Sequence, residues 1–215
     1  MSINKYKDFN TQWYQDRINR KFGQDNLEIL SSGTSNRRDN RFQALQEIGI
    51  KSGDRILDVG CGLGDFYSYL KGSGIDVDYH GVDISSELIN IAQKNLQLKT
   101  LEYRDFFKEK FEAHSFDFVI CSQVLNLKTP GVNNFELAQE FLTEMYRLAR
   151  KGVACDFVTS YVDFKEDYLF YHSPEDIFAF SKTLSKRVTL RHDYPAFEFC
   201  IYIYPDFIGW KNDKI

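Results

Sequence analysis

Ten residues, Ile56 to Asp65 (Ile-Leu-Asp-Val-Gly-Cys-Gly-Leu-Gly-Asp), hold the densest chemistry in this 215-residue chain. Asp58 closes a short apolar run, and Gly60, Gly62 and Gly64 then follow at every second position. Glycine lets a backbone turn tightly and approach a ligand more closely than any side chain permits. The run Arg55 to Val59 reads as a buried parallel strand. Helical spacing resumes at Phe66, Tyr69 and Leu70. Strand, glycine turn and helix N-terminus together seat an adenosine-bearing ligand in the crevice above a parallel sheet. The dinucleotide fingerprint G-x-G-x-x-G brings its third glycine in for close helix packing beside a pyrophosphate. Here the third glycine arrives one residue early and Asp65 stands in the expected position. Asp58 and Asp65 repel a pyrophosphate and suit a ligand with an ammonium or sulfonium end.

Two further acids follow in order. Asp83 closes Tyr79-His-Gly-Val-Asp, a second predicted strand, about twenty residues past the glycines, where a carboxylate can accept from ribose hydroxyls. Asp105 follows a third strand that starts at Leu101. Asp83 and Asp105 also read as N-caps of the helices after them. Acids at the ends of three successive strands favour the ligand-binding reading, because an open α/β sheet binds ligands along that edge.

This ordered set resembles the class I (seven-stranded, Rossmann-like) S-adenosylmethionine-dependent methyltransferases of small-molecule type, with Asp58, Gly60, Cys61, Gly62 and Gly64 in motif I. The resemblance runs from about Gly53 to Tyr204. It implies S-adenosyl-L-methionine as cofactor and S-adenosyl-L-homocysteine as product. Asp83 would grip both ribose hydroxyls and Ile84 would pack on adenine. Asp105 would accept from the adenine amino group, while the Phe106 amide meets the ring nitrogen. Asp117 opens the fourth strand as in that family, and Ser122 ends it beside the cofactor. Gln123 to Leu127 would face the reactive methyl.

A sulfonium methyl is already activated, so transfer needs mainly proximity and alignment. A general base helps only where the acceptor must shed a proton. Asn126 and His172 are the catalytic candidates. Gln123, Trp13 and Tyr14 are the substrate-contact candidates. Each has a structural alternative: loop polarity for Gln123 and Asn126, a boundary histidine for His172, an apolar patch pinning the N-terminal segment for Trp13 and Tyr14. The linker Ser160 to Tyr171, rich in Tyr, Phe and Asp, reads as a lid or as packing. The expected acceptor is a small organic molecule, methylated on oxygen, nitrogen or carbon. Aminopropyl transfer on the same fold wants an acidic pair after the fourth strand, and Ser122 to Leu127 has no carboxylate. A cofactor-holding but inactive partner subunit is the other alternative.

Composition narrows the classes. Net charge is −4 and no long basic run occurs, which disfavours tight nucleic-acid binding. Cys61, Cys121, Cys155 and Cys200 are scattered without zinc spacing, so no metal is expected and the thiols read as buried in a reducing compartment. No run approaches membrane-spanning length, and the first residues lack a signal-peptide core. The expectation is a cytoplasmic monomer or homodimer, off the membrane.

The positioning elements alternate. Residues 1–50 read as an N-terminal helical extension and residues 51–215 as the cofactor-binding core. Met1 to Asn26 predicts one or two helices, Leu27 to Asn36 a loop around Ser31-Ser32-Gly33, and Arg37 to Ile48 a helix. Phe116 to Ser122 predicts the fourth strand, Phe135 to Arg150 an amphipathic helix stopped at Gly152, and Val153 to Val158 the fifth strand. Ser173-Pro174-Glu175 starts another helix. Arg187 to His192 and Phe197 to Tyr204 predict a hairpin turning at Asp193 to Ala196. The fold class is α/β: a doubly wound seven-stranded mixed sheet, its last strand antiparallel, with helices on both faces, for which the family resemblance implies the order 3-2-1-4-5-7-6.

Overall fold

The computed structural model describes residues 2–21, 26–30, 33–194 and 197–206. Fourteen elements follow in order: α1 Ser2–Lys21, α2 Asn26–Leu30, α3 Ser35–Gln46, β1 Arg55–Val59, α4 Asp65–Gly72, β2 Asp78–Asp83, α5 Ser86–Leu96, β3 Leu101–Tyr103, β4 Phe116–Cys121, α6 Asn134–Leu148, β5 Ala149–Val158, α7 Pro174–Leu184, β6 Arg187–Arg191 and β7 Glu198–Tyr204. The sheet order is β3-β2-β1-β4-β5-β7-β6, as the family resemblance implies. β1 runs parallel to β2 and β4, and β7 lies antiparallel between β5 and β6.

Alternation along each strand builds two cores. Successive strand residues point to opposite faces, so Ile56 and Leu57, both fully buried, join different clusters. One cluster packs Leu57, Val119 and Cys155 beneath Leu137, Phe141 and Met145 of α6 and Ile177 of α7. The other packs Ile56, Ile120 and Ala154 beneath Leu45 of α3, Leu70 of α4 and Ile89 of α5. The sheet is therefore covered on both sides. The helix start predicted at Ser173 is found, its side chain accepting a backbone amide of α7; Ser85 and Asn133 cap α5 and α6 in the same way.

Three expectations are corrected. Leu27–Asn36 was expected as a loop, but α2 occupies Asn26–Leu30, and α3 begins at Ser35 with Thr34 as its cap. Ser31 and Ser32 lie outside the described residues, as do Pro195 and Ala196 of the predicted hairpin turn. The sixth helix stops at Leu148, and β5 starts at Ala149, four residues before the expected Val153. Gly152 therefore lies inside the strand rather than ending a helix. A Cβ there would meet Ile48 Cδ1 at 2.9 Å, so glycine lets the end of α3 lie close on the sheet. Phe42 and Leu45 of α3 and Tyr6 of α1 also enter the core clusters, so packing continues across residue 50.

Candidate active site

Glycines shape the bend after β1. Gly60, Gly62 and Gly64 all have positive φ, at 75°, 54° and 77°, a region that β-carbon-bearing residues rarely enter. A Cβ on Gly60 would lie 2.2 Å from Val124 Cγ2. Gly60 is thus required by the loop after β4 as much as by a ligand. Gly64 caps α4 and packs against Leu96 on the side away from the cavity.

Above this bend lies a cavity that opens to solvent. Its floor is Asp58, Gly60, Cys61, Gly62, Asp83 and Ile84, with Phe106 and Ser122 to Val124 along one wall. α1 roofs it with Tyr6, Lys7, Asn10 and Tyr14, while Leu30, Arg41 and Phe42 close another side. The Tyr6 hydroxyl donates to the Val124 carbonyl at 3.0 Å, which ties the roof to the wall.

Each acid has its own setting. Asp83 accepts from the Gly62 amide at 2.9 Å and the Ser85 amide at 2.8 Å. Its carboxyl is nonetheless pushed above the usual range by burial, against the pull of those amides. Asp58 is buried, and its Oδ2 accepts the Tyr79 hydroxyl. Its Oδ1 has no hydrogen-bond partner among the described residues. Burial, opposed by the Tyr79 bond and reinforced by Asp83, Asp156 and Asp65, pushes Asp58 up to about 7. An unpartnered buried oxygen beside a cavity is a seat for a donor.

Several predicted residues lie elsewhere. Asp105 is not in the cavity wall. Its Oδ2 is held by Lys7 Nζ at 2.5 Å and its Oδ1 by the amides of Phe107 and Lys108, so it caps a turn and anchors α1. Trp13 is likewise outside the wall, stacked on Tyr168 with ring centroids 5.5 Å apart, whereas Tyr14 lines it. The linker Ser160 to Tyr171 is strapped to the segment after β4: Lys128 donates to the Tyr168 carbonyl and Phe170 to the Asn126 carbonyl.

Neither catalytic candidate reaches the cavity. Asn126 is buried, and its Oδ1 accepts the Val158 amide at 2.9 Å. His172 is packed edge-on by Phe157 and Phe170, with Nε2 3.0 Å from the Leu125 carbonyl. Burial holds His172 down at about 4. Asn126 lies in the segment after β4 and His172 in the segment after β5, and both side chains are buried against backbone groups rather than among the residues that line the cavity.

The sequence reading missed a buried ionic cluster at the cavity's edge. Arg41, 1 % exposed, donates through Nη1 to both Glu198 oxygens at 3.0 and 3.2 Å. Its Nε stands 3.8 Å from Asp156 Oδ2. Asp156 in turn accepts from Ser122 and Gln123. Arg41 and Glu198 are 157 positions apart. The one local hint was an arginine at a core-facing position of α3, next to Phe42.

A glycine bend and acidic rim facing one cavity, on a sheet of this order, define the class I methyltransferase type of nucleoside-binding fold. The family described as "Methyltransferase domain" matches residues 50–194, and the chain belongs to it. A putative methyltransferase of Mycobacterium tuberculosis is 31% identical over 153 residues, covering 69% of this chain and 91% of that protein. A demethylmenaquinone methyltransferase of Oceanobacillus iheyensis is 28% identical over 141 residues, covering 61% of this chain but only 56% of that protein. Among solved structures, magnesium protoporphyrin IX methyltransferase of Synechocystis with bound S-adenosylhomocysteine superposes with a TM-score of 0.62 at 16% identity. That match covers 92% of this chain and 98% of the other. At such identity the likeness is one of fold.

No helix among the described residues is long and apolar enough to cross a membrane. No group of metal-ligating side chains occurs among them either.

Proposed function

We propose that the chain transfers a methyl group from S-adenosylmethionine to an oxygen, nitrogen or carbon nucleophile of a small organic acceptor. The observation that carries this reading is the unpartnered Oδ1 of buried Asp58, a residue that lines the same cavity as Gly60, Gly62 and Asp83. A dinucleotide's pyrophosphate would meet two carboxylates there, whereas an amino-acid ammonium finds an acceptor. Asp83 would accept the ribose hydroxyls, Ile84 would pack on adenine and the Phe106 amide would meet a ring nitrogen; all three residues line the cavity.

The bound cofactor supplies an already activated methyl. The protein's part is then to hold, orient and exclude water under the roof of α1. The roof favours a small acceptor over a polymer. Four free, buried cysteines support a reducing, cytoplasmic setting.

Calorimetry with S-adenosylhomocysteine is the direct test. Binding by the wild type, lost in Asp83→Ala, is expected; binding of NAD in its place overturns the assignment. Labelled cofactor incubated with a metabolite extract then identifies the acceptor.

A further inference from the structure

Three donors from one stretch of the cavity wall converge on a single carboxylate outside it. Ser122 Oγ donates to Asp156 Oδ2 at 2.7 Å, while the Gln123 backbone amide and Nε2 both donate to Oδ1 at 2.9 Å. Asp156 is 1 % exposed and belongs to β5. Between these bonds Gln123 adopts φ 61°, a left-handed conformation costly for a residue with a β-carbon. Such a conformation persists only where its surroundings hold it.

The turn has a use. It brings Val124 over the bend after β1, with Cγ2 filling the space a Gly60 side chain would take. The Val124 carbonyl then receives the Tyr6 hydroxyl of the roof. Wall, floor and roof of the cavity meet at this one residue.

We infer that Asp156 is a positioning residue: its buried carboxylate holds Ser122 to Val124 in the left-handed turn that seats the cavity wall against the glycine bend. The assignment deepens the methyltransferase reading and rests on it for its functional consequence. Asn can keep the geometry, since its carbonyl oxygen accepts both Gln123 donors and its amide donates to the Ser122 hydroxyl. Ala cannot.

The test uses the full chain and S-adenosylhomocysteine as probe. Asp156→Asn is expected to bind within about threefold of wild type, and Asp156→Ala roughly tenfold or more weakly. Adding Gln123→Gly to Asp156→Ala removes the cost of the left-handed turn and is expected to recover much of the loss. A purely ionic role beside Arg41 and Glu198 predicts the reverse pattern, with Asn as damaging as Ala and no rescue by glycine. Wild-type affinity in Asp156→Ala also overturns the assignment.

Should Asp156→Ala fail to fold, amide resonances decide. In Asp156→Asn the backbone and side-chain amide protons of Gln123 are expected to shift, because a charged acceptor has become neutral. Unchanged resonances refute the clamp. If the wild type binds no S-adenosylhomocysteine, the methyltransferase reading falls, while the resonances still judge the clamp.

Discussion

Asp58→Asn separates what the cavity costs the folded chain from what it gives the ligand. The Asp58 carboxyl rises from its ordinary 3.8 to about 7 on folding, chiefly through burial. The folded state therefore holds the proton more tightly than the unfolded one. Stability from this group is complete below the unfolded value, drains away as pH climbs toward about 7, and then levels off. At ~1.4 kcal/mol per pH unit over that interval, the full loss is ~4 kcal/mol, of which ~2.5 kcal/mol falls between about pH 5 and pH 8. Asparagine keeps the bond from Tyr79 and never ionises. In a chain of this size, its melting temperature should gain on the wild type by roughly 5–10 °C between those two pH values. Affinity for S-adenosylhomocysteine should fall roughly 10- to 100-fold, from loss of a charged acceptor worth ~1.5–3 kcal/mol. Differential scanning fluorimetry across pH and calorimetry at about pH 8 measure both. Parallel melting curves for the two proteins, or undiminished ligand affinity in the variant, refute the reasoning.

Gly60→Ala adds a β-carbon 2.2 Å from Val124 Cγ2 at a φ of 75°. Overpacking and strain together should cost about 2–4 kcal/mol, read from the urea midpoint. His172→Gln should leave S-adenosylhomocysteine affinity unchanged. It should also remove a source of acid lability, since a histidine held at about 4 loses up to ~3 kcal/mol of stability as pH falls from about 6.5 through 4. Acid titrations followed by circular dichroism report that difference. Trp13→Ala gives up the stack on Tyr168 and should cost ~0.5–1.5 kcal/mol in thermal melts. Calorimetry should find its ligand affinity within about threefold of wild type, because Trp13 lies outside the wall.

Local chemistry was legible in the sequence, and distant chemistry was not. The glycine bend, the alternation of strands and helices and the helix start at Ser173 each depend on neighbours a few positions away, so pattern and propensity suffice, whereas the strand order came from the family resemblance. Asp105 met the right spacing, yet Lys7, 98 positions earlier, takes its oxygen. Asn126 and His172 carry groups that could do chemistry, but only the fold decides whether they face a cavity or a core. The burial of Arg41 depends on Glu198 and Asp156, which no periodicity near α3 announces. α2 was missed because five residues are too few to display a helical period. Gly152 looked like a stop signal because a glycine required by close packing reads the same as one that ends a helix.

The placement of β7 inside the sheet, between β5 and β6, bears on biosynthesis. Glu198 emerges from the ribosome long after Arg41, so the guanidinium has no partner from β7 while the first five strands assemble. Burial of Arg41 must wait for, or be completed by, insertion of that late strand. A nascent polypeptide halted before residue 198 would leave Arg41 facing Asp156 alone, with both of its bonds to Glu198 still unmade.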